Sequence, residues 1–237
     1  MMLKTISVAM AVYNGGKYLP SQIDSILAQF EDNDELIVSY DKSLDDTFEI
    51  ICNYSKMDDR VKVVINDHPG VVGNFNTALS HCAKDAIFIS DQDDIWVAGK
   101  RKKMLDALNS SKADLAIHNV VHIDSDGKVI SKPLFQEYGI REGLIRNFLA
   151  PRYSGCCMAF PSKARRFILP LPQSVVNYDH WIGMVCEFYG KVVFVDEVLL
   201  EHRLHGENVT TSRRPFSVIA RQRLNLFLEL VKRRRVR

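Results

Sequence analysis

Four short apolar runs recur along the first 90 residues, at 6–12, 36–39, 61–65 and 86–89. The segments between them carry apolar residues at helical spacing. Ile23, Ile26, Leu27 and Phe30 form one stripe, and Phe48, Ile51 and Cys52 form a second after an Asp45-Asp46-Thr47 start. A third helix is expected over residues 72–84. The resulting β-α-β-α-β-α-β order admits few topologies, because parallel neighbours need crossover connections and these are right-handed. An α/β chain with a mainly parallel, doubly wound sheet is the expectation. In such sheets ligands bind outside the carboxyl ends of the strands.

The fourth run opens directly into acid. Residues 87–96 read I-F-I-S-D-Q-D-D-I-W, with Asp91, Asp93 and Asp94 inside four positions. Like charges this close repel unless something positive neutralises them. A divalent cation with oxygen ligands, carrying the phosphates of a nucleotide, is one reading. Capping of the following helix is the other, since Asp is a common N-cap residue. The ends at Tyr13-Asn14 and Tyr40-Asp41 would share the same sheet edge and complete a nucleotide pocket. Neither G-x-G-x-x-G nor G-x-x-x-x-G-K-[ST] occurs, so a dinucleotide fold and a P-loop are not indicated.

The second half is less regular. A helix is expected over 100–108, and strands over 115–123 and 127–131 joined by Asp124-Ser125-Asp126-Gly127. An apolar run at 156–160 and a helix over 164–169 follow. Asp179 then falls in the first turn of a helix carrying Trp181, Val185 and Phe188, near its positive end. A strand over 191–195 and a polar loop over 201–208 close the body. The five irregularly spaced cysteines read as reduced core residues without a zinc site. No run of about 18 apolar residues is present and the start lacks a secretory pattern, so a cytoplasmic protein is expected.

Charge is uneven. Residues 213–237 hold eight Arg and one Lys against one Glu, a net +8, which against the chain's +2 leaves the other 212 residues at −6. The tail is read as a basic amphipathic helix, lying on anionic lipid at the inner face of the cell membrane or packed on the body. A nucleic-acid role is disfavoured, because the body is acidic and no recognition motif is present.

Five stretches together resemble the family 2 glycosyltransferases, inverting enzymes with the GT-A fold. They are S-V-A-M-A-V-Y-N at 7–14, Y-D-K-S-L-D-D-T at 40–47, S-D-Q-D-D-I-W at 90–96, Y-D-H-W at 178–181 and R-L-H-G-E-N-V at 203–209. The resemblance implies a GT-A domain over 1–212, with a nucleotide-binding half (1–98), a small mixed acceptor-side half (99–212) and the tail at 213–237. It implies that Ala11, Val12, Tyr13 and Asn14 pass under the base and ribose of a nucleotide-sugar donor. Asp41 would read the base imide, pointing to UDP or dTDP, and Asn74 or Asn76 would face the base or phosphates. Asp91-Gln92-Asp93 matches the D-x-D motif. Asp91 would meet the ribose or metal, and Asp93, with His205, would bind Mn²⁺ or Mg²⁺. Arg203 and His205 would meet the diphosphate, and Asp179 matches the catalytic base. The implied acceptor is a saccharide, lipid-linked if the tail seeks membrane. Tyr40 and Lys42 depart from the D-D-G-S that the family has at the second strand end, so donor preference is open. Two rival readings stand beside this one: a metal-dependent sugar nucleotidylyltransferase, and a non-catalytic binding module of the same fold.

Overall fold

The computed structural model describes residues 2–175, 177–206 and 215–233. Four strands build the first half: β1 (Ile6–Val12), β2 (Glu35–Tyr40), β3 (Val61–Ile65) and β4 (Ala86–Ser90). They run parallel in the order β3-β2-β1-β4. The crossovers are α1 (Leu19–Leu27), α2 (Thr47–Met57) and α3 (Val71–His81). Every residue of β4 is buried, as is all of β1 except Ala11. Helices cover both faces, which is why these strands read as continuous apolar runs rather than alternating ones.

The second half adds β5 (Ile95–Trp96), α4 (Lys100–Ser111), β6 (Leu115–Ile123), α5 (Leu134–Tyr138) and α6 (Leu144–Leu149). After these come β7 (Met158–Pro161), α7 (Arg165–Ile168), α8 (Tyr178–Tyr189), β8 (Val192–Arg203) and α9 (Phe216–Arg233). One eight-stranded sheet results, in the order β3-β2-β1-β4-β7-β6-β8-β5. β7 is antiparallel to both β4 and β6, β8 is parallel to β6, and β5 runs antiparallel along β8. The sheet is therefore parallel where the nucleotide edge was expected and mixed beyond it.

Several expectations give way. β8 does not stop at 195. Its register against β6 slips between the pairs His118–Val195 and Asn119–Val198, which lets Asp196 and Glu197 bulge out before pairing resumes through His122–His202 and Ile123–Arg203. Residues 201–203, read as loop, are therefore strand. Residues 127–131 make a single bridge, Ile123–Val129, rather than a strand. Ile51 faces inward on α2 as expected, but Phe48 is 45% exposed beside Tyr40 and Thr47 is buried in its place. Asp94 caps no helix: β5 follows it, and α4 begins after Gly99.

α9 buries Leu226 and Leu230 against the body and turns Phe216, Leu224, Phe227, Leu228 and Val231 outward. Arg213, Arg214, Arg234, Arg235 and Arg237 of the basic tail lie outside the described residues, as do Glu207, Asn208 and Val209 of the last matching stretch. No described helix is long and apolar enough to cross a membrane.

Candidate active site

The carboxyl ends of β1 and β4 lie side by side, and Gln92 joins them. Its Oε1 accepts the Tyr13 N–H at 2.9 Å and its Nε2 donates to the Tyr13 carbonyl at 2.9 Å. The space this needs explains Gly15, where a Cβ would come within 2.5 Å of Gln92 Oε1. Val12 is fully buried and contributes backbone only. Its carbonyl accepts the Asp41 N–H at 2.9 Å and Asn74 Nδ2 at 3.1 Å. Ala11 is half-buried and Tyr13 is exposed. Asn14 adopts φ +47°, a region Asn tolerates, and its Oδ1 accepts the Leu44 N–H at 2.8 Å.

Asp41 is nearly buried at the end of β2. Its Oδ1 accepts Asn66 Nδ2 at 2.5 Å and its Oδ2 accepts the Gly70 N–H at 2.9 Å. Asn66 is held in turn by the Thr77 hydroxyl, which donates to its Oδ1 at 2.7 Å. Asn74 is buried with its Oδ1 unpartnered. Asn76 instead accepts the Leu171 N–H at 3.0 Å.

In the acidic turn the carboxylates have separate fates. Asp93 Oδ2 meets His205 Nε2 at 2.8 Å. Asp94 is fully buried, its Oδ1 accepting from His202 Nδ1 and from the Arg203 N–H, each at 3.0 Å. Asp91 Oδ1 accepts the Tyr178 hydroxyl at 3.3 Å. Burial pushes the Asp91 carboxyl well up, and the nearby negative charges of Cys156, Asp94 and Asp93 add to this. Asp93 is raised by burial and Asp94, against the pull of His205 and His202. Lys100 lies wholly buried beneath, its Nζ donating to the Cys156 carbonyl at 2.8 Å and resting 4.5 Å from the Trp96 ring centre. Burial lowers it to about 8. Lys100, His202 and His205 of the same chain thus lie among the three carboxylates of the acidic turn.

Asp91, Asp94, Cys156 and His202 each offer one ligand atom within 4.8 Å of the others. Cys156, read as core, therefore borders the acidic turn, and hydrogen bonding from Cys157 together with His202 lowers its thiol to about 6, against burial. The carboxylate oxygens of Asp91 and Asp94 suit Mn²⁺ or Mg²⁺, whereas a thiol suits softer metals; Asp93 and His205, expected as ligands, are not among these four and pair with each other instead. Arg203 is buried, its Nε donating to the Asp93 carbonyl at 3.1 Å and its guanidinium lying 4.7 Å from the Tyr18 ring centre. It holds the acidic turn and the Asp124-Ser125 turn together.

Asp179 lies in the first turn of α8, half-buried, its Oδ1 accepting the His180 N–H at 2.6 Å. The bond from Tyr178 to Asp91 ties this turn to the acidic one. Trp181 is fully buried, its Nε1 donating to the Ile168 carbonyl at 2.8 Å, so it packs rather than lines a groove. Sequence reasoning missed Asn66, Tyr178 and Cys156. None sits in a charge cluster; each matters only through a partner 25 to 87 positions away.

The family model described as Glycosyl transferase family 2 matches residues 7–168. An uncharacterized glycosyltransferase of Nostoc sp. is 27% identical over 214 residues, 86% of this chain and 66% of that protein. The Escherichia coli UDP-Glc:alpha-D-GlcNAc-diphosphoundecaprenol beta-1,3-glucosyltransferase WfgD is 30% identical over 125 residues, 52% of this chain and 49% of that one. The structure of Staphylococcus aureus TarS 1–349 in complex with UDP-GlcNAc superposes with a TM-score of 0.70 at 18% identity, covering 98% of this chain and 70% of that chain. The likeness to TarS shows the fold, which is GT-A-like.

Proposed function

The chain belongs to the family 2 glycosyltransferases, and from that premise we propose that it is an inverting, metal-dependent transferase. It moves a sugar from a nucleoside diphosphate donor, UDP-linked in the first instance, to a hydroxyl of a saccharide acceptor in surface polysaccharide assembly. The TarS complex holds UDP-GlcNAc, and WfgD is named for a UDP-glucose donor and a diphosphoundecaprenol-linked acceptor; both point the same way for this chain.

In this reading Asp41 accepts a hydrogen bond from the base imide, with Asn66 and the Gly70 N–H holding its carboxylate in place. The backbone from Ala11 to Asn14, fixed by Gln92, lies under base and ribose, and Asn74 supplies its spare acceptor. Asp91 and Asp93 would hold Mn²⁺ or Mg²⁺, which when bound would supply Lewis-acid stabilisation of the leaving diphosphate. Asp179 takes the proton of the acceptor hydroxyl as its oxygen attacks C1 and the bond from C1 to the diphosphate breaks. The outer face of α9, with the basic tail, rests on anionic lipid and presents the site to a lipid-linked acceptor.

The observation that supports this most is the 3.3 Å bond from Tyr178 to Asp91, which couples the turn carrying Asp179 to the acidic turn. The test is calorimetric titration of UDP, dTDP, GDP and ADP, with and without Mn²⁺. Metal-dependent binding of UDP or dTDP over the purine nucleotides is expected. Binding of none, with metal present, would overturn the reading.

A further inference from the structure

A second buried polar cluster lies where α6, α8 and α9 meet, and the chemistry above does not use it. Its centre is His180, 3% exposed. His180 Nε2 lies 3.0 Å from the Asn147 carbonyl of α6. A carbonyl only accepts, so Nε2 carries the proton and donates. Nδ1 is then the lone-pair nitrogen, and Arg223 of α9 donates to it through Nη1 at 3.4 Å. Arg223 Nη2 also donates to the Leu149 carbonyl at 3.5 Å. Asn147 is 2% exposed, and its Nδ2 donates to Glu187 Oε1 at 2.8 Å and to the Arg141 carbonyl at 3.2 Å. One neutral imidazole thus bonds to α6 on one side and α9 on the other. Burial first, and then the Arg223 charge, lower His180 to about 4, which fits this neutral, two-sided form.

The backbone N–H of the same histidine donates to the Asp179 carboxylate at 2.6 Å. Asp179 is therefore oriented by a residue whose side chain is fixed by α6 and by α9.

We propose that Arg223 is a positioning residue for Asp179, acting through His180, and that α9 is thereby part of the transfer machinery as well as a surface helix. The proposal rests on the reading of Asp179 as the base. The guanidinium holds the imidazole against Asn147, the imidazole fixes the first turn of α8, and the turn sets the direction of the carboxylate. The helix that faces lipid and the group that accepts the proton then share one hydrogen-bonded chain.

The test uses the full chain and UDP-glucose, UDP-galactose and UDP-N-acetylglucosamine as probe donors, with UDP release as the rate and UDP calorimetry as the measure of donor binding. Arg223→Ala is expected to lower kcat by about 10- to 100-fold with UDP affinity and donor KM within about twofold of wild type. Arg223→Lys, which keeps the charge, is expected to recover part of the loss. Wild-type kcat in Arg223→Ala, with Asp179→Asn inactive, would overturn the proposal and leave the base intact. Unchanged turnover in Asp179→Asn would instead overturn the base reading itself. Should Arg223→Ala lose its circular-dichroism signature of folding, the ¹⁵N shifts of His180 in the wild-type protein decide. The Nε2–H tautomer is expected, and an Nδ1–H tautomer would overturn the proposal.

Discussion

Asp94 and His202 meet at 3.0 Å beneath the acidic turn, and the carboxylate that receives the imidazole is wholly buried. Burial opposes the charge on His202, yet the Asp94 carboxylate outweighs it and lifts the imidazole to about 12. The same pairing, with the Arg203 N–H, holds Asp94 below its ordinary range against burial. The pair fastens the end of β8 to the segment that follows β4, and so supports Asp91 and Asp93 from below.

This pair sets a pH signature of stability. The folded value of His202 lies above its unfolded value of about 6.5, so its contribution is complete below that pH and is lost as pH rises toward the folded value. The folded value of Asp94 is depressed, so its contribution is present above about 3.9 and is lost as pH falls below it. Urea unfolding across pH should show the largest difference between wild type and His202→Ala between about pH 4 and 6.5. In that window His202→Ala should cost about 3–5 kcal/mol, since it leaves a buried carboxylate without its partner. A loss below about 1 kcal/mol, the scale of an exposed pair, would contradict the arrangement.

Asn66 provides a test of base reading away from the acidic turn. It donates to Asp41 and is itself held by Thr77. Asn66→Ala removes the amide bond to the Asp41 carboxylate together with the bonds Asn66 makes to Thr77 and to the His68 backbone, so UDP affinity should fall by about tenfold by calorimetry, with a lowered thermal midpoint beside it. Unchanged affinity would separate Asp41 from the nucleotide.

The first half of the chain is legible because its strands are buried on both faces and its acids fall at strand ends. The β8 extension is not, because Asp196 and Glu197 interrupt the apolar pattern and only the bulge opposite His118 and Asn119 restores the ladder. Hydrophobicity alone points Phe48 inward, whereas the helix turns Thr47 and Ile51 to the core. The acidic positions stand out as a cluster, but their charge partners do not. Lys100 looks like one basic residue of a helix, and His202 like part of a loop; Lys100 is held by the Cys156 carbonyl and His202 by Asp94, each distant in sequence. Pairings across 46 or more positions leave no local periodicity to read.

Asp179→Asn separates catalysis from binding. The substitution keeps the shape and removes the proton acceptor, so transfer should fall by about 10²- to 10⁴-fold, with UDP affinity retained. Equal rates in the two proteins would leave a binding module of this fold as the better description.

The outer face of α9 predicts lipid binding. Arg221 and Lys232 are exposed on it, along with Phe227 and Leu228. Reversing both charges, Arg221→Glu with Lys232→Glu, should weaken co-flotation with vesicles containing phosphatidylglycerol by at least about tenfold. Neither protein should float with phosphatidylcholine alone. Equal flotation of both proteins on the anionic vesicles would remove the membrane role.

The Gln92 amide continues the seam between β1 and β4 beyond its last backbone pair, Met10–Ser90, with two bonds to a single residue, Tyr13. It works as a splice between two loops that would otherwise drift apart. In the proposed reading an incoming nucleotide would find its floor already assembled and would not spend affinity on ordering it. Capture should therefore be limited by encounter rather than by loop closure, with an observed rate that rises linearly with nucleotide concentration and shows no plateau.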